Sequence, residues 1–137
     1  MNNDYSRAGG APVPVLRLGD ILLVTLQGEL HDGAAEQLRQ DIVEAIARSR
    51  VTGVVIDISG VEIVDSFLGR VLAEIAANAR LLAAQTVVAG MRPAVALTLV
   101  ELGLTLPGLK TALSTEAALE LLGRVGAVSD GPRREPR

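Results

Sequence analysis

The sequence predicts an α/β fold, a mostly parallel, mixed five-stranded sheet with about four helices in the order ββαβαβαβα. Three observations carry this. Short β-branched runs bounded by glycine, such as GVVIDISG and TVVAG, read as buried strands, because a parallel sheet covered on both faces replaces strict alternation with continuous apolar runs. Between them lie stretches whose apolar residues recur at helical spacing, and alternation of this kind implies right-handed crossovers with helices packed on the sheet. Finally, 137 residues, 49% of them apolar, suffice for one domain of ordinary size.

Val13 to Leu18 and Ile21 to Gln27 are two apolar runs split by Gly19-Asp20, a two-residue connection that signals a hairpin. Asp32 then reads as a helix N-cap, with Leu38, Ile42, Ala45 and Ile46 following at helical spacing. After the VVIDIS strand the next helix starts near Asp65-Ser66. Leu68, Val71, Leu72, Ile75, Ala79 and Leu82 form its apolar stripe, and Phe67, Arg70, Glu74 and Asn78 line another face. Thr86 to Ala89 is a short buried strand. Pro93 suits the first turn of a third helix and Gly103 its stop. Leu109 to Leu113 gives a weaker strand, and Ser114 caps a last helix through Glu116, Leu119 and Leu122. The expected domain is 12–126, with polar tails at 1–11 and 127–137.

One Phe, one Tyr and no Trp leave the core aliphatic, and the absence of Cys removes disulfides, thiolate nucleophiles and Cys-ligated metals together. Asp4 and Arg7 cancel in the first tail. Three arginines against Asp130 and Glu135 leave the last tail at +1, so of the overall −3 the body carries −4. A mildly acidic body almost without aromatics argues against nucleic-acid binding, which uses basic grooves and stacking rings. The uncharged run from Leu81 to Met91 is far shorter than the ~20 residues that span a bilayer, and no signal-peptide pattern opens the chain. A cytoplasmic protein is expected.

Catalytic chemistry finds little support. His31 is the only histidine and falls between a strand end and a helix start, which suits a loop residue better than a triad member. No metal-ligand spacing and no phosphate-cradling glycine loop occurs, so no cofactor, metal or catalytic residue is expected. Asp57, at a strand end, could be a phosphoacceptor of a receiver domain. That chemistry needs a Mg²⁺ site built by further carboxylates, and Asp20, Glu29 and Asp32 form no adjacent acidic pair. A structural role, accepting loop N–H groups, suits Asp57 better.

Ser66 is the sharpest feature, standing after Asp65 where a loop enters an amphipathic helix, beside the sole Phe. Serine there is a good N-cap, which is the plain explanation. A phosphoserine also suits a helix N-terminus, because free N–H groups and the helix dipole favour an anion. Phosphate would add about −1.5 to −2 charge near Glu62 and Asp65. Both readings stand on the residues alone.

GVVIDISGVEIVDSFLGRVL (53–72) and VVAGMRPAVALTLVELGL (87–104) together resemble STAS domains, the sulphate transporter and anti-sigma-factor antagonist family, and within them the RsbS-type scaffolds of bacterial stressosomes. The DS pair matches the family's phosphorylated serine, and Arg-Pro followed by AVALTLVELG matches stressosome members in particular. The resemblance implies a STAS fold and a non-enzymatic scaffold phosphorylated on Ser66, with Thr98 as a secondary position. It implies an RsbT-like serine kinase that is held and released, an RsbX-like phosphatase that reverses the mark, and RsbR-like STAS paralogues in a dimeric and higher-order assembly. Thr98 falls inside an apolar helix, where packing or back-bonding to the helix suits it better.

The expected partner surface is Glu62, Asp65, Phe67, Arg70, Glu74, Met91 and Arg92, with Phe67 reading equally well as a packed residue. Two other functions stay open on sequence. One is a freestanding anti-sigma-factor antagonist in a small complex with a kinase, separable by molecular size. The other is a Mg²⁺-dependent aspartyl-phosphate receiver using Asp57, separable by the acid lability of its phosphate.

Overall fold

The computed structural model describes residues 13–103 and 109–129. Among them nine elements follow one another: β1 (Val15–Leu18), β2 (Ile21–Gln27), α1 (Asp32–Arg48), β3 (Gly53–Gly60), α2 (Ser66–Leu81), β4 (Gln85–Ala89), α3 (Pro93–Glu101), β5 (Leu109–Ala112) and α4 (Thr115–Ser129). They form one sheet in the order β1-β2-β3-β4-β5, with β1 antiparallel to β2 and every other pairing parallel. The expected order and mixed sheet are both present.

Because strand order follows chain order, each crossover steps in the same direction and puts its helix on the same face. The side chains agree. Leu22, Val24, Val54, Ile56, Ile58 and Val88 point toward Leu38 and Ile42 of α1, Leu72 and Ile75 of α2, and Val95 and Leu99 of α3 in one large aliphatic core. The opposite face holds a smaller cluster of Val55, Val87 and Ala89 under Ala118 and Leu122 of α4. Gly53 permits this second layer to approach: a Cβ there would stand 2.8 Å from Leu122 Cδ1. α4 packs over β3, β4 and β5, and Leu16 and Leu18 of β1 stay exposed at 56% and 47%.

Several boundaries differ from expectation. The N-cap of α1 is His31, whose side chain makes no cap hydrogen bond, and Asp32 is the first helical residue. The chain turns one residue earlier than a preference scale suggests, since Asp32 still favours the positive end of the helix from inside the first turn. Leu82 ends α2 as its C-cap and is partly exposed, not a full member of the apolar stripe. Pro93 opens α3 and Gly103, at φ +71°, follows its end, as predicted. Ser114 Oγ accepts the Ala117 N–H at 3.1 Å, the expected cap of α4. That helix continues to Ser129, past the domain boundary expected at 126. The rest of both terminal tails, and Leu104 at the end of the second motif, lie outside the described residues. No helix among the described residues is long and apolar enough to cross a membrane.

Candidate functional site

Ser66 owes its position to the loop that delivers it. β3 ends at Gly60, and Val61 and Val64 are buried at 2% and 7%, two apolar pegs that hold the loop against the core. Between them Glu62 and Ile63 project outward, with Ile63 85% exposed. Asp65 then takes extended backbone and its carboxylate accepts the Leu68 N–H at 3.0 Å. Asp65, not Ser66, is the cap of α2. Ser66 is the first helical residue, half-buried, and its hydroxyl enters no hydrogen bond found among the described residues. The capping explanation of Ser66 is therefore replaced: the neighbouring carboxylate already does that work.

The floor of this loop is cross-braced. Asp57 accepts the Ser59 N–H on Oδ1 at 2.9 Å and the Thr115 hydroxyl on Oδ2 at 3.3 Å. Arg92 Nε donates to the Ser59 carbonyl at 3.2 Å. Gly90, at φ +73°, passes so close that a Cβ there would lie 2.9 Å from Ser59 Cβ and 3.2 Å from Asp57 Oδ1. The C-terminal ends of β3 and β4 and the head of α4 are thus joined around Asp57 and Ser59. Among the described residues no group of three His, Cys, Asp or Glu could hold a metal ion. The Asp57 carboxylate thus accepts a loop N–H, the contact its structural reading expects.

Beside the loop an open cleft of about 1250 Å³ runs from the end of β2 to the start of α2. Glu29, Asp32, Glu62 and Asp65 line it, with Leu30 and Phe67 as apolar wall, and neither Lys nor Arg is among its lining residues. It is an acidic, partly apolar surface. Glu29, His31 and Asp32 were missed as members of this surface, because only the sheet brings the end of β2 beside the loop after β3.

The other predicted residues distribute as follows. Phe67 is half-buried and packs on the main core while also lining the cleft, so both roles considered for it are structurally available. Arg70 and Glu74 are exposed along α2. Met91 is half-buried against the core, and Arg92 is exposed as the N-cap of α3. Thr98 Oγ1 donates to the Ala94 carbonyl at 3.0 Å, the helix back-bonding anticipated for it. On α1, Arg39 pairs with Glu36 and reaches Asn78 of α2 at 3.3 Å. The hydrogen bond from Arg39 holds the Glu36 carboxyl below its usual range. Arg39 is in turn held above its own, chiefly by the Glu36 hydrogen bond and further by the charges of Glu36 and Glu74.

A mixed sheet of this order, with three helices on one face and one on the other, is the architecture of a STAS domain. The STAS domain family matches residues 13–118, and the chain belongs to that family. A serine-to-glutamate variant of RsbS from Moorella thermoacetica is 39% identical, covering 83% of this chain and 97% of that one, with a TM-score of 0.74. A chain of the stressosome, described as a signal integration and transduction hub, is 41% identical over 82% of this chain and 98% of its own, with a TM-score of 0.73. The RsbT co-antagonist proteins RsbRD and RsbRC of Bacillus subtilis are each 31% identical, over 77% and 81% of this chain. The chain spans only 38% and 40% of their lengths. The anti-sigma factor antagonist SpoIIAA, at 21% identity and a TM-score of 0.62, shares the fold.

Proposed function

We propose that this chain is a non-enzymatic, cytoplasmic scaffold of a stressosome-type assembly, which holds an RsbT-like serine kinase and releases it when Ser66 is phosphorylated. The observation that carries the reading is the Ser66 hydroxyl at the first position of α2, without a hydrogen bond among the described residues, with Asp65 supplying the cap. A phosphate there replaces no hydrogen bond among the described residues. The free N–H groups of the first turn and the helix dipole tolerate it, so the domain stays folded. The same phosphate changes the surface: it adds a dianion beside Asp65 and Glu62 and next to the apolar tips of Ile63 and Phe67. Like-charge repulsion and the cost of desolvating a phosphate both work against a partner pressed on that face. A loss of about 1.4 kcal/mol is tenfold in affinity.

The kinase would contact Glu62, Asp65, Phe67, Arg70 and Glu74, with Met91 and Arg92 at the neighbouring turn. RsbR-like paralogues would co-assemble with the chain as dimers and larger shells, and an RsbX-like phosphatase would restore the hydroxyl. The similarity to RsbS and to a stressosome chain, about 40% over most of the domain, supports this over a freestanding antagonist. Thr98 is a lesser site, since its hydroxyl is already engaged.

The test is peptide-resolved mass spectrometry after incubation with ATP, Mg²⁺ and a stressosome-type kinase, with S66A in parallel. Phosphate on Ser66 and none in the variant is expected, together with loss of kinase binding by the phosphorylated chain. An unmodified Ser66 beside an active kinase would reject the switch.

A further inference from the structure

We infer that Arg70 is the built-in receiver of a phosphate on Ser66: it closes an intrahelical ion pair that removes Arg70 from any partner it contacts. This rests on the proposed phosphorylation of Ser66 and adds the residue that responds to it. Ser66 and Arg70 are four residues apart on α2, so their side chains stand on one face, with about 6 Å between Cβ atoms. The anion lies N-terminal to the cation, the favourable order for such a pair. Arg70 is exposed and makes no ion pair or hydrogen bond among the described residues, so nothing there has to be broken first.

The surrounding charges select Arg70. Asp65 and Glu62 on the preceding loop are anions and repel a phosphate. Arg92, a second cation near this end of the sheet, already gives Nε to the Ser59 carbonyl. Glu74, one turn beyond Arg70, is the acid that would compete for it. Glu74 also lies near Arg39 of α1, whose own charge it supports alongside Glu36. Arg39 therefore stays beside Glu74 when Arg70 swings toward the phosphate. The charges then alternate along the α1–α2 surface: phosphate, Arg70, Glu74, Arg39, Glu36. A guanidinium is suited to this exchange, because its planar fork can take two phosphate oxygens at once.

The consequence is that one phosphorylation alters two surface features: it places a dianion at the head of α2 and silences the cation one turn along. A partner that reads Arg70 loses that contact without any change of fold.

The experiment uses the full chain carrying phosphoserine installed at position 66 during synthesis, so that no kinase is needed. Phosphorus NMR follows the second ionisation of the phosphate against pH at low salt. Pairing with Arg70 favours the dianion, so the wild-type midpoint is expected below that of R70Q. At a fixed pH near it, the dianion-to-monoanion ratio should be about twofold higher in the wild type. R70K, which keeps a charge but not the fork, should fall between. R92Q should titrate like the wild type, and 1 M salt should bring wild type and R70Q together. Identical titration of wild type and R70Q at low salt would overturn the inference, as would a shift caused by R92Q instead. Neither result depends on whether a kinase modifies Ser66, so failure here is distinct from failure of the scaffold function.

Discussion

Because the Asp65 carboxylate already accepts the Leu68 N–H, alanine at Ser66 removes a hydroxyl that closes no turn. S66A is expected to unfold in urea within about 0.5 kcal/mol of the parent chain, the range of a neutral surface change. D65A should cost about 1 kcal/mol, the ordinary worth of a carboxylate cap. A loss in S66A as large as in D65A would show that the hydroxyl supports the helix after all. The DS pair was legible in the sequence as a helix entrance and as a family motif. Which of the two residues caps was not, because Asp and Ser have nearly equal cap preference and the choice turns on a single residue's backbone angle. Thr98 was legible for the opposite reason. Inside an apolar helix a threonine hydroxyl has few partners except the carbonyl four residues back, and it takes Ala94.

Between residue and fold lies the brace under the loop that carries Ser66, where β3, β4 and α4 meet around Asp57 and Ser59. Its parts are ordinary in sequence: an Asp late in a strand, a Gly after another, a Thr after a cap. Only the parallel register, which sets Asp57 beside Ala89, puts Gly90 against Ser59 and turns these residues into one joint. G90A should therefore destabilise the domain by about 1–3 kcal/mol, since a side chain at φ +73° is strained and its Cβ meets Ser59 and Asp57. D57A should cost a similar amount by leaving the Ser59 N–H and the Thr115 hydroxyl without their acceptor. Hydrogen exchange supplies the check: residues 58–64 should exchange faster in D57A while the centre of α1 does not. Unchanged exchange in that loop would mean the brace carries no load. The strands themselves were easy to read, since β-branched runs between glycines have few other uses. The N-cap of α1 was misplaced by one residue because His31 is a poor capping type, and tertiary placement of the turn overrode the local preference for Asp32.

At the scale of the whole molecule the two faces of the sheet are unequal, and this has a measurable consequence. Strand and helix order were visible in the sequence, but nothing in α4's own periodicity says which face it covers. It follows β5, the last strand in the row, and closes the face the crossovers leave bare. Leu72, fully buried among α1, α2 and the sheet, belongs to the larger core. Leu122, 8% exposed, belongs to a cluster of five buried residues. Truncating Leu72 to alanine should cost about 2–5 kcal/mol, because the dense surroundings cannot collapse onto the cavity. That is a large share of the roughly 5–15 kcal/mol that holds a domain together. L122A should lie at the low end of this range, since a helix over a flat sheet can settle toward the space left above Gly53. Its main effect should be local, with the α4 amides exchanging through openings that spare β3 and α2. If instead L122A lowers the global urea midpoint as far as L72A and speeds exchange everywhere, the two layers unfold as one unit. In that case the Asp57–Thr115 contact would transmit any disturbance of α4 directly to the loop that carries Ser66.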